Sequence, residues 1–151
     1  LKGRRLVYVF EPVEEISLDL KKTLMFAGFL PSTFKDKDDM IRDALNMEPE
    51  VFFISTMDKR NYDIIKEIKN NETLSHIFVI ASSIYKKSPD RAYEVGADFY
   101  IPMPYVWKRL PYLIRALTFI NDMRFSDEVS IKHGLEINFS GKGKTIMEIK
   151  F

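Results

Sequence analysis

Ser55 occupies the position in this chain where chemistry is most expected. It follows the apolar run Val51 to Ile54, which lies between Pro49 and a polar loop. A short continuous apolar run of this kind is typical of a strand buried on both faces at the centre of a parallel sheet. Because ligands in such sheets bind beyond the carboxyl ends of the strands, Ser55 lies at the expected site.

Ser55 could act as a nucleophile or accept a phosphoryl group from a kinase. A serine hydroxyl is a poor nucleophile unless a base activates it, and neither of the two histidines, His76 and His133, stands near Ser55 in the pattern. We therefore favour a structural role for Ser55 at the end of its strand. The two histidines also lack the spacing of metal ligands, which favours surface or hydrogen-bonded roles for them.

Two further motifs could bind ions or nucleotides. Glu11 and Asp58 could form a residual cation site, but we favour a pair of solvated loop residues. The segment from Ser140 to Thr145, SGKGKT, is similar to a phosphate-binding loop, but Asn138 stands where that motif needs a glycine. Because the following residues alternate as a strand does, a glycine turn within a hairpin accounts better for this segment.

The composition sets broad limits on function. The chain has 151 residues with 46% hydrophobic and 30% charged residues, which suits one globular domain with a short appendage. A net charge of +1 gives no global field for nucleic acid or an anionic membrane. The chain contains no cysteine, no apolar run of the roughly 20 residues needed to span a membrane and no visible signal peptide. We therefore expect a cytoplasmic protein without a thiolate metal site.

Strand and helix patterns alternate five times within about 120 residues. The expected strands are Arg5–Phe10, Leu30–Lys35, Pro49–Thr56, His76–Ala81 and Asp98–Ile101. Helical periodicity follows each strand, Asp36 offers a helix cap, and Gly28 and Gly96 offer helix ends. This order predicts an α/β fold, a doubly wound five-stranded parallel sheet of the flavodoxin-like (βα)5 type with helices on both faces.

From about residue 4 to 124 the chain resembles the receiver domains of bacterial response regulators. PEVFFIST stands where a receiver has its phospho-acceptor strand. VGADFYIPMPY resembles the receiver ending, in which alanine-aspartate-x-tyrosine is followed by lysine-proline-phenylalanine. The combination of these segments at this spacing carries the resemblance.

The resemblance also implies which residues a receiver would use, and this chain departs from most of them. Ser55 replaces the phospho-acceptor aspartate, Phe10 and Glu11 stand in place of the two acids after the first strand, and Met103 replaces the lysine before the proline. Ser82 stands at the position of the receiver's serine or threonine. Mg²⁺ prefers several hard oxygen ligands, which this set does not offer. We therefore expect a degenerate phospho-acceptor pocket without catalytic residues, metal or cofactor, and we classify the chain as a pseudo-receiver and not an enzyme.

Two other receiver features are retained. Tyr100 stands at the position of the switch aromatic, and Pro104 stands at the proline that typically follows a cis peptide bond in that family. Together with Trp107, they indicate a contact surface on the fourth helix, fifth strand and fifth helix, for a protein partner or a homodimer. Trp107, Tyr105 and Tyr112 could equally pack against the sheet.

The function expected from these features is phosphorylation-independent regulation by protein contact in bacterial signal transduction. An alternative is the dimerising N-terminal part of a transcription regulator whose DNA-binding module lies elsewhere. Residues 125–151 are expected to form a linker and a β-hairpin, and they could begin a second module. Because the chain lacks an initial Met and stops at Phe151 within an apolar alternation, we expect a fragment of a longer protein.

Overall fold

The computed structural model describes residues 5–84, 88–124, 136–140 and 146–150. The elements alternate as the sequence predicts, with these bounds: β1 Leu6–Phe10, α1 Glu14–Phe26, β2 Leu30–Phe34, α2 Lys37–Met47, β3 Val51–Ser55, α3 Asn61–Asn70, β4 Phe78–Ile84, α4 Asp90–Glu94, β5 Phe99–Met103, α5 Leu110–Arg124, β6 Glu136–Ser140 and β7 Ile146–Lys150. The largest shifts from the expected bounds are in β4 and β5, which begin and end later than predicted.

Strands β1 to β5 form one parallel sheet in the order β2-β1-β3-β4-β5, so the predicted doubly wound fold is confirmed. Strand β3 lies at the centre and every residue in it is buried. The expected edge position of β2, with Pro31, is also confirmed, and the opposite edge strand β5 contains Pro102. Because proline cannot donate a backbone hydrogen bond, both edges are poor templates for adding another strand.

Two apolar layers cover the two faces of the sheet, and the alternation along β3 shows how one strand serves both. Val51 and Phe53 pack into the layer formed with α1 and α5. Phe52 and Ile54 pack into the layer formed with α2, α3 and α4. This two-sided burial explains why the central strand is continuously apolar in sequence.

Helix ends match the sequence signals closely. The Asp36 side chain accepts hydrogen bonds from the backbone N–H groups of Asp38 and Asp39, at 2.8 and 3.0 Å, and so caps α2 as predicted. Gly28, after α1, adopts a φ of 91°, and Gly96, after α4, adopts a φ of 109°. A left-handed backbone at these positions favours glycine, which explains why the two helices end there.

The C-terminal strands β6 and β7 pair antiparallel, with Ile137 opposite Ile149, as a hairpin requires. The linker expected at the start of residues 125–151 and the glycine turn within Ser140–Thr145 lie outside the described residues, apart from Ser140 at the end of β6. Among the described residues, no helix is long and apolar enough to cross a membrane.

A largely buried ion pair joins α3 to the residue before β5. It lies at the amino-terminal ends of the strands, whereas Ser55 lies at their carboxyl ends. Lys69 Nζ lies 2.6 Å from Asp98 Oδ2 and also donates to the carbonyl oxygen of Ile77 at 2.8 Å. The same carboxylate oxygen accepts the backbone N–H of Val79 at 2.8 Å. A Cβ at Gly96 would lie 2.8 Å from Cγ of Lys69, so this glycine also leaves room for the lysine side chain.

We expect Asp98→Ala to lower the free energy of unfolding by about 3–5 kcal/mol, because it removes the buried carboxylate that pairs with the Lys69 ammonium and accepts the Val79 N–H. Asp39→Ala, which removes an exposed carboxylate paired with Arg42, should change it by no more than about 0.5 kcal/mol. Urea unfolding followed by circular dichroism measures both. Equal midpoints for the two variants would contradict a structural role for the buried pair.

Candidate functional site

The candidate site lies where the carboxyl ends of β1, β3 and β4 meet. Ser55 ends β3 and is paired in register with Ser82 of β4, while Glu11 directly follows β1. All three side chains are buried, with 1% exposure for Glu11 and Ser55 and none for Ser82. The structure thus brings these three buried side chains together at the carboxyl ends of neighbouring strands.

Glu11 is a buried carboxyl group, so its prediction as a solvated loop residue was wrong. Its Oε2 accepts the backbone N–H of Val13 at 3.0 Å, which folds the side chain back over the end of β1. Asp58, the other member of the predicted loop pair, forms a surface ion pair with Arg60. The Arg60 side chain holds the pKa of Asp58 down at about 2.

Burial raises the pKa of Glu11 above its ordinary value of 4.5, and this effect exceeds the opposing effects of the Val13 N–H and the nearby Ser55 hydroxyl. Within the described residues, Glu11 Oε1 and Ser55 Oγ are both buried without a hydrogen-bond partner. The Ser55 hydroxyl can donate to Glu11 Oε1 whether or not the carboxyl group carries a proton, and that contact lowers the pKa, whereas burial favours the neutral form.

Tyr105 completes the site, and sequence analysis did not assign it there. Its hydroxyl donates a 2.7 Å hydrogen bond to Ser82 Oγ, and both side chains are buried. Burial is the largest cause that raises the pKa of Tyr105, and the nearby Glu11 carboxylate adds to it. Of the two roles left open for Tyr105, packing against the sheet is the one observed. The available signal was a tyrosine where the resembling receivers have phenylalanine.

The backbone around Ser55 is also fixed by hydrogen bonds. Asn61 Nδ2 donates to the Ser55 carbonyl oxygen at 2.8 Å. Thr56 donates to the Ser82 carbonyl oxygen twice, from its backbone N–H at 2.6 Å and from Oγ1 at 2.9 Å. The loop after β3 is thereby tied to β4 and to the start of α3.

The remaining predicted pocket residues are apolar and only slightly exposed. Phe10 is 9% exposed and packs with the α2, α3 and α4 layer, while Met103 is 7% exposed and packs with the α1 and α5 layer. The Met103–Pro104 peptide bond is cis, as the resemblance to receivers implied for Pro104. At the positions that the resemblance assigns to a receiver's lysine and to one of its acids, this chain has the thioether of Met103 and the phenyl ring of Phe10.

This donor set does not fit a divalent cation. Mg²⁺ needs hard oxygen ligands in octahedral geometry, usually with more than one carboxylate. The site offers one buried carboxyl group, whose pKa is raised, and neutral hydroxyl groups. Among the described residues, no three histidine, aspartate or glutamate side chains cluster as a metal site would need.

The two predicted contact residues lie in different layers. Tyr100 is half-buried against the α2, α3 and α4 layer, and its hydroxyl donates to the Ile84 carbonyl oxygen at 3.4 Å. Trp107 is 37% exposed and lines a groove between α1 and the start of α5. Its ring packs edge-on to Tyr105, with centroids 5.2 Å apart. The structure therefore does not bring these two aromatic side chains onto one patch.

Solved structures of receiver domains share this architecture. An orphan response regulator of H. pylori is 26% identical, with a TM-score of 0.65 over 77% of this chain and 98% of that one. A response regulator from Thermotoga maritima is 18% identical, with a TM-score of 0.67 and the same coverage of both chains. The receiver domain of a Pseudomonas aeruginosa sensor histidine kinase, solved with a magnesium ion in its active-site cleft, is 16% identical, with a TM-score of 0.67, again over 77% of this chain and 98% of that one.

No family model and no curated protein sequence matches the chain. The structural similarity nevertheless extends over nearly the whole length of these receivers. The body of this chain therefore has the receiver-domain fold of response regulators, and the resemblance predicted from the sequence is confirmed.

The Tyr105–Ser82 hydrogen bond predicts a measurable stability difference. Tyr105→Phe should lower the free energy of unfolding by about 1–3 kcal/mol, because a buried serine hydroxyl loses its partner in a closed pocket. Tyr112→Phe is the matched control, since Tyr112 is 65% exposed and should lose little. Urea midpoints that move equally in both variants would contradict the importance of this hydrogen bond.

The raised pKa of Glu11 predicts a pH-dependent difference between the wild type and Glu11→Gln. The unfolded chain releases this proton near pH 4.5, whereas the folded site holds it to higher pH. Between these two values the folded state binds more protons, so the stability of the wild type falls relative to E11Q as pH rises, and the difference becomes constant above the folded pKa. Urea midpoints measured from acid to neutral pH test this. Glu15→Gln, at an exposed position on α1, is the control, and a difference for E11Q that does not vary with pH would contradict it.

Proposed function

We propose that this chain is a phosphorylation-independent pseudo-receiver that regulates bacterial signal transduction through protein contact. The observation that carries this proposal is the composition of the site at the end of the sheet. It combines one buried carboxyl group with three hydroxyl groups, from Ser55, Ser82 and Tyr105, and with the apolar side chains of Phe10 and Met103.

Each step of receiver phosphotransfer needs a chemical group that this site does not offer. An acyl phosphate needs a carboxylate nucleophile, whereas Ser55 offers a hydroxyl group, which would form a phosphate ester, beside the Glu11 carboxyl group, whose pKa burial raises. Stabilising the transferred phosphoryl group needs cations, and Met103 is neutral. The Pseudomonas aeruginosa receiver is described with a magnesium ion in its cleft, whereas the donor set of this chain does not suit that ion.

A role in protein contact is the function that a receiver fold without phosphotransfer retains. We propose that a protein partner, or a second copy of the chain, binds the surface of α4, β5 and α5 around Tyr100. The prolines at both sheet edges favour contact through helices and side chains over strand addition. Tyr100 is half-buried, and its hydroxyl lies on the Ile84 carbonyl oxygen, so a partner could bias its position without a phosphoryl group.

Treatment with acetyl phosphate and Mg²⁺ tests the loss of phosphotransfer. We expect intact-mass spectrometry to show no phosphoryl adduct, and calorimetry to show no Mg²⁺ binding at millimolar concentration. A phosphorylatable receiver treated in parallel is the positive control. A phosphoryl adduct on the wild-type chain that neutral hydroxylamine removes, as it removes an acyl phosphate but not a serine phosphate ester, and that is absent from the heat-denatured protein, would refute the proposal.

A further inference from the structure

The side chain of Met57, in the loop between β3 and α3, lies between solvent and a buried hydroxyl group of β4. Met57 is 40% exposed, whereas Ser83 is completely buried. Ser83 Oγ donates to the Met57 sulfur atom at 4.0 Å. Because a thioether is a weak hydrogen-bond acceptor, this contact satisfies the serine hydroxyl only weakly.

The Ser83 hydroxyl group also lies beside that of Tyr100. Burial is the largest influence on the pKa of Tyr100 and raises it, the nearby Tyr62 raises it further, and the Ser83 hydroxyl lowers it. Tyr100 itself donates to the Ile84 carbonyl oxygen at 3.4 Å, which is long for an O–H donor. Ser83 therefore has one proton and two neighbouring acceptors, the Met57 sulfur and the Tyr100 oxygen.

We propose that Met57 is a site of reversible oxidation, and that its sulfoxide takes the Ser83 proton and moves the Tyr100 hydroxyl from the Ile84 carbonyl oxygen to Ser83 Oγ. Hydrogen peroxide, a two-electron oxidant, transfers one oxygen atom to the sulfur. The O–O bond of the peroxide breaks, an S–O bond forms, and the remaining peroxide atoms leave as water. The product is methionine sulfoxide, which is polar where the thioether is apolar.

The distance between the two side chains suits this change of acceptor. The 4.0 Å from the Met57 sulfur to Ser83 Oγ leaves room for an oxygen atom on the sulfur at an ordinary O–H···O distance. Once Ser83 donates to the sulfoxide, its lone pairs are free to accept the Tyr100 proton. The oxidation state of one loop methionine thereby sets the hydrogen-bond partner of Tyr100, at the centre of the surface proposed for protein contact.

Two other exposed methionines provide matched comparisons. Met25 is 58% exposed and Met47 is 38% exposed, so an oxidant reaches them as it reaches Met57. Met25 lies on α1, which covers the other face of the sheet from Tyr100. Met47 ends α2, which contacts the far edge strand β2. Oxidation at either position should leave the contact between Ser83 and Tyr100 unchanged.

Mild treatment of the full chain with hydrogen peroxide, followed by peptide mass spectrometry, tests the oxidation itself. We expect Met57 to gain one oxygen atom at a rate within about threefold of that of Met47, and at least about tenfold faster than the completely buried Met40. Methionine sulfoxide reductase with a dithiol should return two electrons to the sulfur and release the oxygen as water. Oxidation of Met57 as slow as that of Met40 would overturn the inference.

The NMR signals of the Tyr100 ring, assigned with Tyr100→Phe, measure the consequence of oxidation. Peroxide should shift these signals in the wild type and in Met47→Leu, but not in Met57→Leu, which has no sulfur at that position. Ser83→Ala should still be oxidised at Met57 and should lose most of the shift, because the connecting hydroxyl group is gone. Circular dichroism verifies that each variant is folded.

Met57→Gln tests the same connection without an oxidant. Its amide oxygen is a strong acceptor on a side chain of similar length, at an exposed position that tolerates a polar group. We expect this variant to shift the Tyr100 signals in the same direction as peroxide does, and Met57→Leu to leave them near their wild-type positions. This comparison also stands if Ser83→Ala proves too unstable to fold.

Three results would contradict the role of Met57. These are Tyr100 signals that stay in place when Met57 is oxidised, an equal peroxide shift in Met57→Leu, and a shift that Ser83→Ala leaves undiminished. The inference rests on the proposed role of the Tyr100 surface in protein contact but needs no phosphorylation. A phosphoryl adduct would therefore refute the proposed function alone, and unmoved Tyr100 signals would refute this inference alone.

Discussion

The hydrogen bond from the Tyr105 hydroxyl to Ser82 Oγ is the interaction on which the organisation of this site depends. It satisfies the hydroxyl group of a serine that is completely buried, and it adds a phenol oxygen to the buried site. The phenol is neutral and its pKa is raised by burial. The end of the sheet is thus closed by neutral hydrogen bonds and apolar packing, and Glu11 is its one carboxyl group.

The fold was predictable because the apolar periodicity and the residues that begin or end helices indicate the same elements along the chain. Apolar runs, helical stripes, the Asp36 cap and the two glycines after helices all indicate the same alternation, and each is observed. These signals are local, so a single sequence contains them. The Lys69–Asp98 ion pair joins residues far apart in sequence, and no local pattern indicates which lysine will reach which aspartate.

The site was predictable in position but not in environment. Parallel pairing of β3 and β4 places Ser55 and Ser82 at the same end of the sheet, where the two residues are paired in register. Glu11 was misjudged because a charged residue beside a proline is usually solvated, whereas here the Val13 N–H turns it inward. Tyr105 was assigned to a surface or a core from its ring, although its hydroxyl is the part that contacts the site.

The alternation of side chains between the two faces of the sheet determines which surface residues pack next to the buried site. Tyr100 packs on the face of the sheet that α2, α3 and α4 cover. Tyr105 and Trp107 come after β5 in the chain and lie on the other face, with α1 and α5. The ring contacts from Phe53 through Tyr105 to Trp107 form a continuous packed path from the central strand to the groove. Because closely packed rings leave little free volume, a change in the position of Trp107 would require adjustment at Tyr105, whose hydroxyl binds Ser82.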